Sequence, residues 1–209
     1  MRRETLRLYA ITDPKYAVHV SMKDVVRSAL EGGVTMIQLR EKNCSQEAFL
    51  QKAKEICALC HAYQVPLIIN DNWQVALDSG ADGVHLGQSD LPEDIRFLKE
   101  KKLWVGITAK TVEQAQRAEA MGADYIGVGA LFGSPTKQDA KRITFSECKE
   151  ICESVSIPAV GIGGITKDNL RELEGIPLAG VALVSAVFGA EDIRNSSREL
   201  RRLTEEIFT

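Results

Sequence analysis

Two aspartates each follow a short apolar run. Leu67-Ile68-Ile69 is closed by Asn70-Asp71-Asn72, and Gly83-Val84-His85-Leu86 by Gly87-Gln88-Ser89-Asp90. If the two runs are neighbouring strands, their backbones lie about 5 Å apart. Carboxylates that close repel unless a proton or a cation lies between them. An oxygen donor set without clustered His or Cys suits Mg2+, which takes one or two carboxylates and completes its shell with phosphate oxygens and water. The competing reading is that Asp71 and Asp90 cap the helices that follow, a place aspartate favours. Three cations tip the balance toward the metal: Arg40 and Lys42 on one strand end, and Lys137 in a later loop.

The other candidates have the same character. Gln38, Arg40 and Lys42 alternate along one side of an extended segment, so all three can reach one ligand. Arg40, Lys42 and Lys137 could hold a diphosphate, or could be no more than a salt-bridged rim, where surface pairs contribute ~0–1 kcal/mol. A Schiff-base role for Lys137 would need a buried strand end, whereas this lysine lies well beyond Gly129 in a long loop that also contains Ser134 and Thr136. Gly163 and Gly164 open backbone N–H groups to a ligand before Thr166, and Ser185 follows the last strand. In many barrels the loops after strands seven and eight hold a phosphate, although glycines there can also serve tight packing. Thr108 ends another strand. His85 can be a packed core histidine or a site residue. His19 and His61 carry no signal, and Trp73 and Trp104 read as packing residues.

All of these must be positioned by one repeated unit. Apolar, β-rich runs recur at 6–12, 35–40, 66–70, 82–86, 103–108, 124–129, 157–162 and 179–185. Continuous apolar strands are expected of a parallel sheet covered on both faces. The segments between them, such as SMKDVVRSALEGG, TVEQAQRAEAMGAD and TKDNLREL, read as helices. Eight strand–helix units predict a single-domain (β/α)8 TIM barrel over 1–209, with the active site at the C-terminal ends of the strands. The doubly wound alternative lacks a G-x-G-x-x-G after its first strand.

Composition agrees. The chain has 209 residues, 44% hydrophobic and 26% charged, with a formal net charge of −3, which argues against a nucleic-acid partner. No stretch suggests a signal peptide or a membrane span, so a cytoplasmic protein without a membrane partner is expected, with a homo-oligomer possible. The five cysteines, Cys57-x-x-Cys60 among them, are expected to be structural thiols and not a disulfide or zinc framework.

The ordered motifs QLREK, INDN, DGVHLGQSDLP, DYIGVG, PTK and VGIGGIT resemble thiamine-phosphate synthase, also called thiamine-phosphate pyrophosphorylase, along nearly the whole chain from YAITD onward. The resemblance implies a Mg2+-dependent transferase of thiamine biosynthesis. It would join 4-amino-2-methyl-5-hydroxymethylpyrimidine diphosphate to 4-methyl-5-(2-phosphoethyl)thiazole, releasing pyrophosphate by dissociative substitution. It also implies residue roles. The segment Gln38, Leu39, Arg40, Glu41 and Lys42, with Asn70, Thr108 and Lys137, would contact the pyrimidine diphosphate. Thr108 and Lys137 would act in catalysis, and Asp71 and Asp90 would bind Mg2+. Ser134, Pro135, Thr136, Gly164, Val184 and Ser185 would receive the thiazole phosphate.

The chain departs from the family pattern in having Thr108 for a usual serine, Lys110 for a common histidine, and a shifted proline in Phe132-Gly133-Ser134-Pro135-Thr136-Lys137. Two other readings remain. One is the thiazole tautomerase of the same family, which typically lacks the diphosphate and metal motifs. The other is a non-catalytic barrel that binds a phosphorylated ligand.

Overall fold

The computed structural model describes residues 1–133 and 142–208. Eight parallel strands close into a barrel in sequence order: β1 Leu8–Ile11, β2 Met36–Leu39, β3 Leu67–Asn70, β4 Gly83–Leu86, β5 Trp104–Ala109, β6 Tyr125–Gly129, β7 Ala159–Ile162 and β8 Gly180–Leu183. β8 returns to β1 through Leu8↔Val181, Tyr9↔Ala182 and Ala10↔Leu183. The (β/α)8 expectation therefore holds.

Alternation divides each strand between two cores. Ala10, Ile37, Leu39, Ile69, Val84, Leu86, Val105, Ile107, Ile126 and Val128 face the surrounding helices. Tyr9, Ile11, Met36, Ile68, Tyr125, Val160 and Ala182 fill the lumen. Both faces are dry, which is why the strands are apolar throughout.

The helices begin where short polar side chains can take their first N–H groups. Ser21 caps α1 (Met22–Glu31), Ser45 caps α2 (Gln46–Ala62), Asn72 caps α3 (Trp73–Ser79) and Thr111 caps α5 (Val112–Met121). Thr144 and Glu147 form a capping box on α6 (Phe145–Glu153), and Asp192 caps α8 (Ile193–Ile207). Each such cap stabilises its helix by about 1 kcal/mol. Between them, α4 (Arg96–Glu100) and α7 (Ser185–Phe188) are single short turns without a side-chain cap.

The expected helix over TKDNLREL is the main correction to the sequence reading. Only a 3-10 turn forms, at Leu170–Leu173. Asn169 turns its side chain to the loop before it, accepting from the Thr166 N–H (2.8 Å) and donating to the Gly164 carbonyl (3.0 Å). A side chain that satisfies nearby backbone in this way competes with helix formation. Ser185, read as the end of the last strand, instead opens α7.

Opposite the site, three polar side chains set just before even-numbered strands accept an N–H from the first or second residue of their odd-numbered neighbours. Thr35 Oγ1 takes Leu8 N at 2.8 Å, Asp82 Oδ2 takes Leu67 N at 2.8 Å, and Asp124 Oδ2 takes Val105 N at 2.7 Å. This end of the barrel is fastened by stabilising contacts, leaving the C-terminal end for chemistry. Cys57, Cys60, Cys148 and Cys152 are buried, and burial raises the Cys60 thiol; Cys44 is exposed. Trp73 packs edge-on against Phe97.

Candidate active site

The polar strand ends meet at one rim. β1 leads into Thr12 and Asp13, β2 into Arg40, β3 into Asp71, and β4 into Gln88 and Asp90, while Thr108 is the penultimate residue of β5. Arg40 is anchored twice: its N–H donates to Thr12 Oγ1 (3.0 Å), and its guanidinium lies 3.9 Å from Asp13 Oδ2. Both side chains of that pair are largely buried, so the guanidinium is held over the ends of β1 and β2. Asp13 was not singled out from the sequence. The signal available was its place directly after the first strand, the same place Asp71 occupies after the third.

The segment from Gln38 to Lys42 divides by alternation. Gln38 faces the lumen and is buried; Lys42 is exposed. Leu39 packs its side chain in the outer core, so only its backbone can serve a ligand at the rim. Glu41 turns to α2, where Lys52 Nζ reaches its carboxylate at 2.7 Å. Gln38, Arg40 and Lys42 are thus the side chains of this segment that are committed neither to the outer core nor to α2.

The two aspartates leave the same end of adjacent strands. Asn70 pairs with His85 across β3 and β4, and the Asp71 N–H continues the ladder to the His85 carbonyl at 2.9 Å. Neither aspartate caps a helix. Asn72 Oδ1 does so for α3, accepting Val75 N at 3.0 Å, and Ile95 precedes α4 with no side-chain cap. The capping alternative is thereby removed. Asp71 also sits at φ 62°, a left-handed conformation that is costly for a residue with a Cβ and is enriched at functional sites. Asp90 is exposed, accepting from Ser89 Oγ at 3.0 Å. Among the described residues, no group of three or more His, Cys, Asp and Glu gathers as a metal cluster. Two carboxylates on adjacent loops fit an ion such as Mg2+, whose other ligands come from phosphate and water.

Across the rim, the loop after β7 is held in shape. Gly163 and Gly164 have φ values of 99° and 68°. A side chain at Gly164 would meet the Gly133 carbonyl oxygen at 2.4 Å and the Phe132 backbone at 2.8 Å. Phe132 N donates to Gly163 O at 2.9 Å, and Asn169 clasps Gly164 O. Val184 and Ser185 open α7 next to this loop in the barrel order, and no side chain caps that first turn. The four remaining expected contacts, Ser134, Pro135, Thr136 and Lys137, lie outside the described residues.

Beneath the rim lies a feature the sequence did not reveal, a line of polar groups across the lumen. Gln38 Nε2 donates to Tyr9 Oη at 2.6 Å, and Tyr9 Oη is 3.0 Å from Tyr125 Oη. Tyr125 Oη is 3.0 Å from His85 Nδ1, and His85 Nε2 is 3.0 Å from Thr108 Oγ1. Gln88 Nε2 completes the line by donating to the Thr108 carbonyl at 2.5 Å. Burial pushes both phenols well above their ordinary range, and each keeps its proton.

A family profile described as thiamine monophosphate synthase matches residues 8–187. The chain belongs to that family. It is 40% identical over 204 residues to the thiamine-phosphate synthase of Clostridium botulinum, covering 97% of this chain and 95% of the relative. It is 44% identical over 195 residues to that of Ruminiclostridium cellulolyticum, covering 92% of each. Among solved structures, a thiamine phosphate pyrophosphorylase from Pyrococcus furiosus superposes with a TM-score of 0.91 at 40% identity, covering 99% of both chains. As a member of the thiamine monophosphate synthase family, the protein is an enzyme of thiamine biosynthesis, and its rim is read as an active site on that footing. No helix among the described residues is long and apolar enough to cross a membrane.

Proposed function

We propose that the enzyme joins 4-amino-2-methyl-5-hydroxymethylpyrimidine diphosphate to 4-methyl-5-(2-phosphoethyl)thiazole, forming thiamine phosphate and pyrophosphate. The observation that carries this reading is the gathering of Gln38, Arg40, Asn70, Asp71, Asp90, Thr108, Gly164 and Ser185 at one end of a closed barrel, with neither aspartate used as a helix cap.

The bond from the pyrimidine methylene carbon to the diphosphate oxygen breaks, and the electron pair leaves with the diphosphate. The electron-rich pyrimidine stabilises the resulting cation, and the thiazole ring nitrogen then supplies the pair for the new C–N bond. No side-chain nucleophile is needed. The protein's task is to stabilise the departing charge and to aim the nitrogen. Arg40, braced by Asp13, together with Lys42 and Lys137 would bind the diphosphate. Mg2+ held by Asp71 and Asp90 would supply further neutralisation of the leaving group. Thr108 and Asn70 would orient the pyrimidine diphosphate. The backbone at Gly164 and the first turn of α7 at Val184 and Ser185, with Ser134, Pro135 and Thr136, would hold the thiazole phosphate.

The test is pyrophosphate release with both substrates, with and without Mg2+. Turnover should need both substrates and the ion, and should fall by at least 100-fold in Asp71→Asn and in Lys137→Ala. Near-normal turnover of both variants at saturating Mg2+ would overturn the assignment. Conversion of a thiazole substrate without diphosphate release would favour the tautomerase. Ligand binding without turnover would favour the non-catalytic barrel.

A further inference from the structure

We propose that Tyr9, Tyr125 and His85 are positioning residues that form a one-way hydrogen-bond rod across the barrel, coupling Gln38 at one wall to Thr108 at the other. The proposal rests on the reading that these two end residues contact the pyrimidine diphosphate.

Donor counting fixes the direction. The Gln38 Nε2 group has protons and no acceptor, so at 2.6 Å it donates to Tyr9 Oη. The single Tyr9 proton then goes to its other polar neighbour, Tyr125 Oη at 3.0 Å. The Tyr125 proton goes to His85 Nδ1 at 3.0 Å. With Nδ1 accepting, a neutral imidazole carries its proton on Nε2 and donates it to Thr108 Oγ1 at 3.0 Å. The Thr108 proton is thereby turned away from His85 and is available to an anionic oxygen in the mouth. At the other end, one Gln38 NH2 proton goes to Tyr9, which fixes the orientation of the amide and leaves Oε1 to accept from a ligand amino group. One rod thus presents an acceptor at Gln38 and a donor at Thr108, matching an aminopyrimidine at one end and a phosphate oxygen at the other.

The barrel makes room for this line. A Cβ on Gly106 would lie 2.1–2.4 Å from the Tyr125 ring and hydroxyl, and one on Gly127 would lie 3.1 Å from His85 Cε1. Two strand glycines leave space for the two rings that carry the rod. The T-shaped packing of Tyr9 on Tyr125, with centroids 6.0 Å apart, holds the phenols in line.

The experiment is nitrogen NMR of the whole enzyme labelled with 15N-histidine. The chain has three histidines, and His19→Gln and His61→Gln assign His85 by elimination. The expected result is a neutral His85 with its proton on Nε2. A neutral ring with its proton on Nδ1 would mean that the rod runs the other way, and a charged ring, donating from both nitrogens, would break it at His85; either result would overturn the proposal, whatever the enzyme's substrates. Kinetics give the second reading. Tyr125→Phe should raise KM for the pyrimidine diphosphate at least 10-fold while KM for the thiazole phosphate stays within twofold. Unchanged KM for both substrates in that variant would also overturn it. The wild-type NMR measurement needs no variant in the rod, so it decides the direction even if Tyr125→Phe folds poorly.

Discussion

Replacing Gly106 with alanine tests whether the lumen is built around Tyr125. The new methyl would sit 2.1 Å from Tyr125 Cζ and 2.4 Å from Cε1 and Oη, distances no pair of packed atoms tolerates. Tyr125 is fully buried and is tied at its hydroxyl to Tyr9 and His85, so the ring cannot swing aside without breaking both links. Overpacking costs about 1–3 kcal/mol, and each hydrogen bond lost adds about 1 kcal/mol. A destabilisation of about 3–5 kcal/mol follows, equivalent to a fall of roughly 6–20 °C in Tm for a chain of this size. Urea denaturation with linear extrapolation measures it. The decisive comparison is the same substitution in a Tyr125→Leu background, where the ring is gone and the alanine should cost less than about 1 kcal/mol. A coupling of ~2 kcal/mol or more between the two positions is expected. If Gly106→Ala lies within about 0.5 kcal/mol of its parent, or costs the same in both backgrounds, the described lumen packing is refuted.

Three further outcomes follow from the geometry. Asn72→Ala removes the α3 cap and should lower stability by about 1 kcal/mol with modest loss of turnover, whereas Asp71→Asn leaves that cap in place and should abolish Mg2+-dependent turnover; near-normal Mg2+-dependent turnover in Asp71→Asn would contradict its assignment. Gly164→Ala forces a side chain into the Gly133 carbonyl at φ 68° and should raise KM for the thiazole phosphate at least 10-fold, with a smaller effect on the pyrimidine substrate in steady-state assays. Glu119, whose carboxylate is held below its ordinary pKa by the Ser156 hydroxyl and the N–H groups of Ser156 and Ile157, contributes stability that is present above about pH 4.5 and lost as pH falls through the lowered value. The stability gap between wild type and Glu119→Ala should therefore narrow on acidification, as read from denaturation curves between neutral pH and about pH 3.

The barrel was legible because eight apolar strands with both faces covered leave a strong periodic trace. The same dryness hid the lumen. Tyr9 and Tyr125 sit among residues such as Leu8, Ala10 and Ile126 that are equally buried on the other face, so alternation could not separate inward from outward. Gly106 in β5 and Gly127 within YIGVG were the available hint that large side chains from nearby strands, Tyr125 and His85, fill the lumen beside them. Rim residues were easier to find, since a charged or amide side chain directly after an apolar strand has few places to go. Side-chain position within the QLREK run was only half legible. Gln38 and Arg40 behave as alternation predicts, and so does Glu41 in turning outward; what the run itself does not show is its partner there, Lys52 on α2. The helix after β7 failed because Asn169 spends its side chain on the glycine loop.

The most direct test of the account is a crystal structure of the enzyme with Mg2+ and pyrophosphate. The ion should bridge Asp71, Asp90 and the pyrophosphate oxygens, with Arg40, Lys42 and Lys137 on the remaining oxygens and Gly164 and Ser185 across the mouth. Pyrophosphate bound away from this rim, or Mg2+ bound without either aspartate, would contradict it.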